Sequence, residues 1–322
     1  MTRVLVTGAA GFIGSHLVEA LAARGDEVIG LDNFDPFYAR AMKEGNLRAI
    51  GHGPRFCFHE QDMLDVAAVE RHLTPETVVV HLAARAGVRP SLADPVGYAH
   101  TNVSGTAAVL EAARRAHVSR VVFGSSSSVY GDSTPAPFRE DAVAMEPMSP
   151  YAATKRAGEL LLQALAPIHG FRAAGLRFFT VYGPRQRPDL AIHAFARRMV
   201  EGQTLTLFGD GTQARDYTYC DDITRGVVAA VDWTASAPVG LELFNLGGNR
   251  SVTTGDMVAE LARALGLEPK IEWGPMQPGD VQRTAADLTR SGAVLGYAPR
   301  TPFPEGIRRF VAWFREVHGR SH

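Results

Sequence analysis

At 322 residues, with 46% of them apolar and a formal net charge of −1, the chain can bury a sizeable core, as one large α/β domain or two smaller ones. The near-zero charge excludes a general attraction to nucleic acid or to an anionic membrane, so an anionic ligand must be held by individually placed cations. No charged leader followed by a long apolar run opens the chain, and no stretch approaches the roughly 20 apolar residues of a membrane span; the expectation is a cytoplasmic enzyme.

In chain order, "RVLVTG" (3–8) reads as a short buried strand and "FIGSHLVEALAARG" (12–25) as a helix with Ile13, Leu17 and Leu21 on one face, stopped by Gly25. "EVIGLD" supplies a second strand. The alternation recurs with a strand at 55–60, a helix after Asp65, a strand at 77–84, a helix at about 95–116, a strand at 120–127, a helix after Ser149 and a strand at 171–179. Strands that are apolar throughout and separated by helices predict a parallel sheet covered on both faces. The fold class is therefore α/β, a Rossmann-type doubly wound parallel sheet followed by a smaller, mixed α/β C-terminal region. In that region helices are expected near 189–200, 221–232, 253–265 and 303–317, among loops rich in Pro and Gly. Cys57 and Cys220 have no CxxC partner and no metal-ligand His spacing; both are expected to be buried thiols, with no disulfide and no metal.

"TGAAGFIG" places Gly8, Gly11 and Gly14 between the first strand and its helix. Glycines there permit a tight turn and let backbone N–H groups approach a pyrophosphate at the positive end of the helix. Asp32 ends the second strand, where a carboxylate can bond the adenosine ribose and would repel a 2′-phosphate, so NAD is favoured over NADP. Asp62 and Met63 would lie near the adenine, although a helix cap is an equally good reading of Asp62.

Ser149 and Pro150 read as a helix N-cap and first-turn proline. Tyr151 then sits in the first turn with Lys155 one turn on, on the same face. A tyrosine of ordinary pKa, about 10, is almost wholly un-ionised at neutral pH, so a catalytic phenolate needs a cation beside it, and Lys155 can supply one. Lys155 is one of only three lysines in the chain. "GSSSSVYG" (124–131) follows a strand of the same sheet, which puts the Ser126 hydroxyl at a carboxyl end facing the ligand crevice. A surface helix pair and a serine-rich turn remain alternative readings of these two motifs.

TGxxGxxG, the acid ending the second strand, "HLAA", "TNVSGT", "SSSSVYG" and YxxxK, in this order, resemble the extended short-chain dehydrogenase/reductase family, and within it the nucleotide-sugar 4-epimerases closest to those acting on UDP-glucuronate. The resemblance runs from Val4 to about Trp313. It implies a retained NAD touching Phe12, Ile13, Asn33, Leu82, Ala83, Ala84 and Asn102 as well as the residues above, with Asn102 supporting the lysine side of the site. It further implies a UDP-sugar substrate and a homodimer formed by the helices near 95–116 and 150–168. The expected division is an NAD-binding domain over 1–178, to which 216–248 return, and a UDP-sugar-binding domain over 179–215 and 249–322. Tyr151 would take the 4-hydroxyl proton, Lys155 would tune Tyr151 and hold the nicotinamide ribose, and Ser126 would bond the 4-oxygen.

Ser127 and Ser128 stand where the family's dehydratases carry an acid pair, so simple epimerisation is favoured. A sugar carboxylate would need hydroxyl donors and a cation, a set that Ser127, Ser128, Thr180 and Arg185 could supply. If Arg185 only pairs with Asp189, UDP-glucose becomes the substrate. For the UDP moiety the resemblance points to Arg198, Thr206, Phe208, Arg215 and Asp280, although Arg215 beside Asp216 also reads as a surface ion pair. The reading from another class is a non-catalytic NAD-sensing protein, against which the intact Ser126, Tyr151 and Lys155 argue.

Overall fold

The computed structural model describes residues 1–51, 53–142, 146–275 and 282–319. Its first part alternates β1 (Arg3–Thr7), α1 (Phe12–Arg24), β2 (Glu27–Asp32), α2 (Arg40–Ile50), β3 (Phe56–Glu60), α3 (Val66–Glu70), β4 (Val78–His81), α4 (Val88–Ala93), α5 (Pro95–Ala99), α6 (Gly105–Arg115), β5 (Arg120–Ser126), α7 (Pro150–His169) and β6 (Arg172–Phe178). Gly25 ends α1 in the left-handed region at φ 94°, where a side chain would be strained. Asp65 caps α3 through the Ala68 amide at 3.0 Å, and Ser149 caps α7 through the Ala152 amide at 3.2 Å.

The rest of the described chain holds β7 (Thr180–Tyr182), α8 (Ala191–Val200), β8 (Leu205–Phe208), β9 (Ala214–Tyr219), α9 (Cys220–Trp233), β10 (Gly240–Leu246), β11 (Ser251–Thr253), α10 (Thr254–Leu265), β12 (Ile271–Gly274), α11 (Thr289–Leu295) and α12 (Phe303–His318). Seven strands form one wholly parallel sheet in the order β10-β6-β5-β4-β1-β2-β3. The order reverses between β1 and β4, the place where a doubly wound sheet opens a ligand crevice at its carboxyl edge. Two small sheets, β11-β9-β7 and β12-β8, build the C-terminal layer.

Alternate residues of each strand supply the two cores. Val4 and Val6 pack with Leu17 and Leu21 of α1 and Val227 of α9, while Leu5 of the same strand packs with Val109 of α6 and Leu162 of α7. Each such fully buried aliphatic side chain contributes about 1.5–3 kcal/mol of transfer free energy, which is why β1 reads as an unbroken apolar run.

Three expectations change. The helix at about 95–116 is broken by a π-helical turn at His100–Ser104, where the Thr106 hydroxyl donates to the Asn102 carbonyl at 2.6 Å and competes with the backbone ladder. β3 is the edge strand, so its residues are only partly covered, and Cys57 is exposed rather than buried. Short helices α2 and α4 occupy stretches in which no helix was expected.

Candidate active site

The turn after β1 is built so that backbone, not side chains, faces the crevice. Gly8 has φ 74°, and a Cβ on Gly14 would stand 2.0 Å from the Gly8 carbonyl oxygen. A Cβ on Gly8 would likewise meet the Ala83 amide nitrogen at 2.9 Å. These glycines leave open the cradle that a pyrophosphate at the N-terminus of α1 requires, so the residues present fit a dinucleotide. The cleft that opens there encloses about 1130 Å³ with its mouth, and Gly11, Phe12, Ile13, Asn33, Leu82 and Ala84 help to form its wall.

Asp32 faces this cleft from the end of β2. Its Oδ1 accepts from the Phe34 amide at 2.8 Å and pairs with Lys43 Nζ at 3.2 Å, so the carboxylate is pre-oriented by a cation on α2 that the sequence alone did not single out. Asp62 caps no helix, since Asp65 does. Asp62 is turned to the Leu64 amide and to Asn33 Nδ2, and the wall beside it is made by Gln61 and Met63.

Ser126 ends β5, and its Oγ accepts from the Ser128 amide at 3.2 Å and from Ser128 Oγ at 2.9 Å. Tyr151, in the first turn of α7, stands in the cleft wall near Ser126. Burial pushes the Tyr151 phenol up from its ordinary value, while the Ser126 hydrogen bond and the charge of Arg187 pull it down. Lys155, expected to be the cation acting on Tyr151, stands in the same cleft wall and donates to the Gly124 carbonyl at 2.8 Å, and burial pushes its own pKa down to about 8. Asn102 is buried behind them. Its Nδ2 donates to Thr154 Oγ1 and to the Arg85 carbonyl, both at 2.9 Å, and its Oδ1 accepts from the Arg85 amide at 2.8 Å, so it braces the turn of α7 that carries Tyr151 and Lys155.

The two arginines of "GPRQRPD" part company. Arg185 has φ 64°, and this left-handed turn sends its side chain to α1, where Nη2 pairs with Glu19 Oε2 at 2.7 Å. It neither joins Asp189 nor lines the cleft. Arg187 does both: it bonds Asp189 bidentately at 2.9 and 2.8 Å and stands in the wall with Tyr151, its guanidinium 5.4 Å from the Phe37 ring. The sequence signal that could have separated them is the adjacent Pro188–Asp189, which fixes the backbone and supplies a carboxylate two residues on.

Thr180 opens β7, paired with Tyr217 of β9. Arg198, Thr206, Phe208 and Arg215 lie in the C-terminal layer, outside the cleft wall as described. Thr206 Oγ1 donates to Glu272 at 2.7 Å, Arg198 Nη1 reaches the Thr204 carbonyl at 3.5 Å, and the Arg89 guanidinium of α4 stands 5.0 Å over Phe208, linking the two layers. Alternation along β9 buries Asp216 on the face opposite Arg215, where its carboxylate takes the Gly248 and Ala286 amides; burial pushes it up to about 6. The surface ion pair between these neighbours is therefore not formed. Asp280 lies outside the described residues.

Among the described residues, His16, Cys220 and Asp221 bring one donor atom each within 4.8 Å of one another. His16 Nε2 donates to the Pro184 carbonyl at 2.9 Å, Cys220 bonds Asp221, and Arg309 stands 3.6 Å from the Asp221 carboxylate. The group is thus an internally bonded cluster with a cation already beside it. No described helix is long and apolar enough to cross a membrane.

The chain is similar along nearly its whole length to known proteins. UDP-glucuronate 4-epimerase 3 of Arabidopsis thaliana is 40% identical over 97% of this chain and 76% of its own length. UDP-glucuronate 4-epimerase of Thermodesulfobacterium geofontis is 38% identical over 98% and 97%. A crystal structure of UDP-glucuronic acid 4-epimerase from Bacillus cereus, in complex with UDP-glucuronic acid and NAD, matches with a TM-score of 0.91 at 36% identity, covering 98% of this chain and 100% of that one. The model of the NAD dependent epimerase/dehydratase family matches residues 4–247. The chain belongs to the NAD dependent epimerase/dehydratase family.

Proposed function

We propose that the protein is an NAD-dependent 4-epimerase interconverting UDP-glucuronate and UDP-galacturonate through a transient 4-keto sugar. The observation that carries this reading is the end-to-end similarity to enzymes of that activity, joined to a cleft whose wall holds Tyr151, Lys155 and the cation Arg187, with Ser126 at the end of β5 beside it. NAD, held by the glycine turn and Asp32, would supply the hydride acceptor and donor for C4. Tyr151 accepts the 4-hydroxyl proton and gives it back on the return step, with Ser126 bonding the same oxygen. Lys155, fixed by the Gly124 carbonyl, offers its remaining N–H groups to the cofactor's ribose, and Gly8, Gly11, Gly14 and Asp32 hold the dinucleotide. Arg187, rather than Arg185, is the cation we assign to the sugar carboxylate, with Ser127, Ser128 and Thr180 as hydroxyl donors.

Residues 1–178 with 216–248 form the NAD-binding part in this reading, and 179–215 with 249–322 the part for the UDP-sugar, where Arg198, Thr206, Phe208 and Arg215 serve the UDP. A homodimer is supported by exposed apolar side chains on helices that pack together: Val96 of α5 is 78% exposed and Ile168 of α7 71%, and Leu92 of α4 and Leu160 of α7 are exposed as well. A cytoplasmic location accords with a nicotinamide cofactor and a nucleotide-sugar substrate.

The deciding experiment incubates the pure protein with UDP-glucuronate and, separately, with UDP-glucose, and resolves the 4-epimers by chromatography. Conversion of UDP-glucuronate is expected. Preferred turnover of UDP-glucose would replace the substrate, and turnover of neither would remove the enzyme reading.

A further inference from the structure

Arg85 lies four residues beyond the end of β4 and stands in the cleft wall. Its backbone is gripped on both sides by Asn102, so its side chain leaves from a fixed point. The guanidinium spans two carboxylates. Nε and Nη2 donate to Asp35 Oδ2 at 3.2 and 3.1 Å, and Nη1 donates to Asp94 Oδ2 at 2.8 Å. The other oxygen of Asp35 accepts from the Phe37 amide at 3.0 Å, so the carboxylate that receives Arg85 also sets the path of residues 35–38. That path brings Phe37 and Tyr38 into the cleft wall, with Phe37 beneath Arg187. The other oxygen of Asp94 caps α5 through the Gly97 amide at 2.9 Å.

We propose that Arg85 is a positioning residue with two effects. By joining Asp35 to Asp94 it holds the 33–38 loop where Phe37 seats Arg187. By pairing with Asp35 it masks a negative charge that would otherwise act on an anionic sugar in the same cleft. About a quarter of each side chain in the Arg85–Asp35 pair is exposed, 26% and 22%, so solvent screens that charge only in part. The planar fork is essential, because it presents separate N–H groups to two carboxylates at once, whereas a lysine offers one compact ammonium on a flexible stem. The choice of an anionic sugar rests on the UDP-hexuronate reading; the loop-holding effect does not.

The test compares wild type with Arg85→Ala, Arg85→Lys, Asp35→Asn and the Arg85→Ala/Asp35→Asn double variant. It combines steady-state kinetics on UDP-glucuronate with hydrogen–deuterium exchange of the peptide covering residues 33–39. Arg85→Ala is expected to raise KM about tenfold, the loss of one charge-assisted hydrogen bond, with kcat within about threefold of wild type. Arg85→Lys recovers only part of that, and the double variant resembles Asp35→Asn alone because no charge is left to mask. Exchange at the Phe37 amide rises in Arg85→Ala and, as a milder change that keeps the fold, in Asp35→Asn. Full recovery by lysine, simple additivity in the double variant, or unchanged exchange in Arg85→Ala overturns the proposal. A wild type that turns over no UDP-hexuronate removes the substrate reading instead, and the exchange result then still decides whether Arg85 holds the loop.

Discussion

Arg177 of β6 and Glu159 of α7 meet in a bidentate ion pair with neither side chain exposed, Nε to Oε1 at 2.8 Å and Nη2 to Oε2 at 2.9 Å. Glu159 also accepts from Ser125 Oγ at 2.6 Å, and the Arg177 guanidinium lies 4.7 Å over the Tyr130 ring. The pair therefore ties the helix carrying Tyr151 and Lys155 to the strand ends that carry Ser125 and Ser126. Glu159→Ala leaves the Arg177 guanidinium buried without its carboxylate, so it should lower the unfolding free energy by about 3–5 kcal/mol. Replacing both, Glu159→Leu with Arg177→Met, should cost much less. Urea unfolding at neutral pH measures both, and equal losses in the two variants would contradict the account.

Tyr151→Phe removes the phenol beside Ser126 while leaving its ring packed edge-to-face against Tyr98, centroids 6.4 Å apart. Turnover should fall by about 10²–10⁴-fold. The nucleotide released from the denatured protein should match wild type in amount. A rate within a few-fold of wild type removes Tyr151 from the proton-transfer role.

Burial of Lys155 makes stability depend on pH in a defined direction. The folded chain gives up this proton near pH 8, whereas an unfolded lysine keeps it to about 10.5, so between those values the unfolded state binds more protons and the stability contributed by this group rises with pH. At neutral pH the buried charge costs the fold about 3 kcal/mol, partly offset by the bond to Gly124. Lys155→Met should therefore unfold at the same or a higher urea concentration than wild type at pH 7 in the absence of added nucleotide, and the difference should shrink by pH 9.5. A variant markedly less stable than wild type at pH 7 would falsify this.

The two arginines of the 183–189 turn provide a contrast within one peptide. Arg187→Ala should raise KM for UDP-glucuronate by about 10-fold or more, as expected for loss of a charged hydrogen-bond donor, with a smaller effect on UDP-glucose. Arg185→Ala, which unpairs Glu19 on the far side of the turn, should change both KM values by less than about threefold. The reverse ranking would return the carboxylate role to Arg185.

Gly14→Ala places a Cβ 2.0 Å from the Gly8 carbonyl, which backbone cannot yield without opening the turn. NAD binding followed by calorimetry should weaken by at least about 10²-fold. Gly45→Ala, where the nearest atom is the far end of Arg48 at 3.7 Å, serves as the control and should bind as wild type does.

The parts of this protein that could be read from the chain are those set by neighbours within about four residues. β1, β2, β4, β5 and β6 are continuous apolar runs because both of their faces are covered, the Ser149 cap and Gly25 stop are local backbone chemistry, and the Tyr151–Lys155 spacing is one helical turn whatever surrounds it. The three-residue strands β7 and β11 carry no such period; they exist because β9 pairs with both. Edge position, which exposes Cys57, is likewise a property of the assembled sheet.

The sequence by itself thus determined the doubly wound sheet, the glycine turn and the one-turn spacing of Tyr151 and Lys155, because periodicity, capping and turn chemistry are local. Only the tertiary structure decided which cation faces Tyr151, that Lys155 is fixed by Gly124, and that Asp35 and Asp94 share Arg85. Those pairings depend on how the elements are assembled, and a left-handed turn at Arg185 was enough to send two arginines that read alike to different places, one to Glu19 of α1 and the other to the cleft wall.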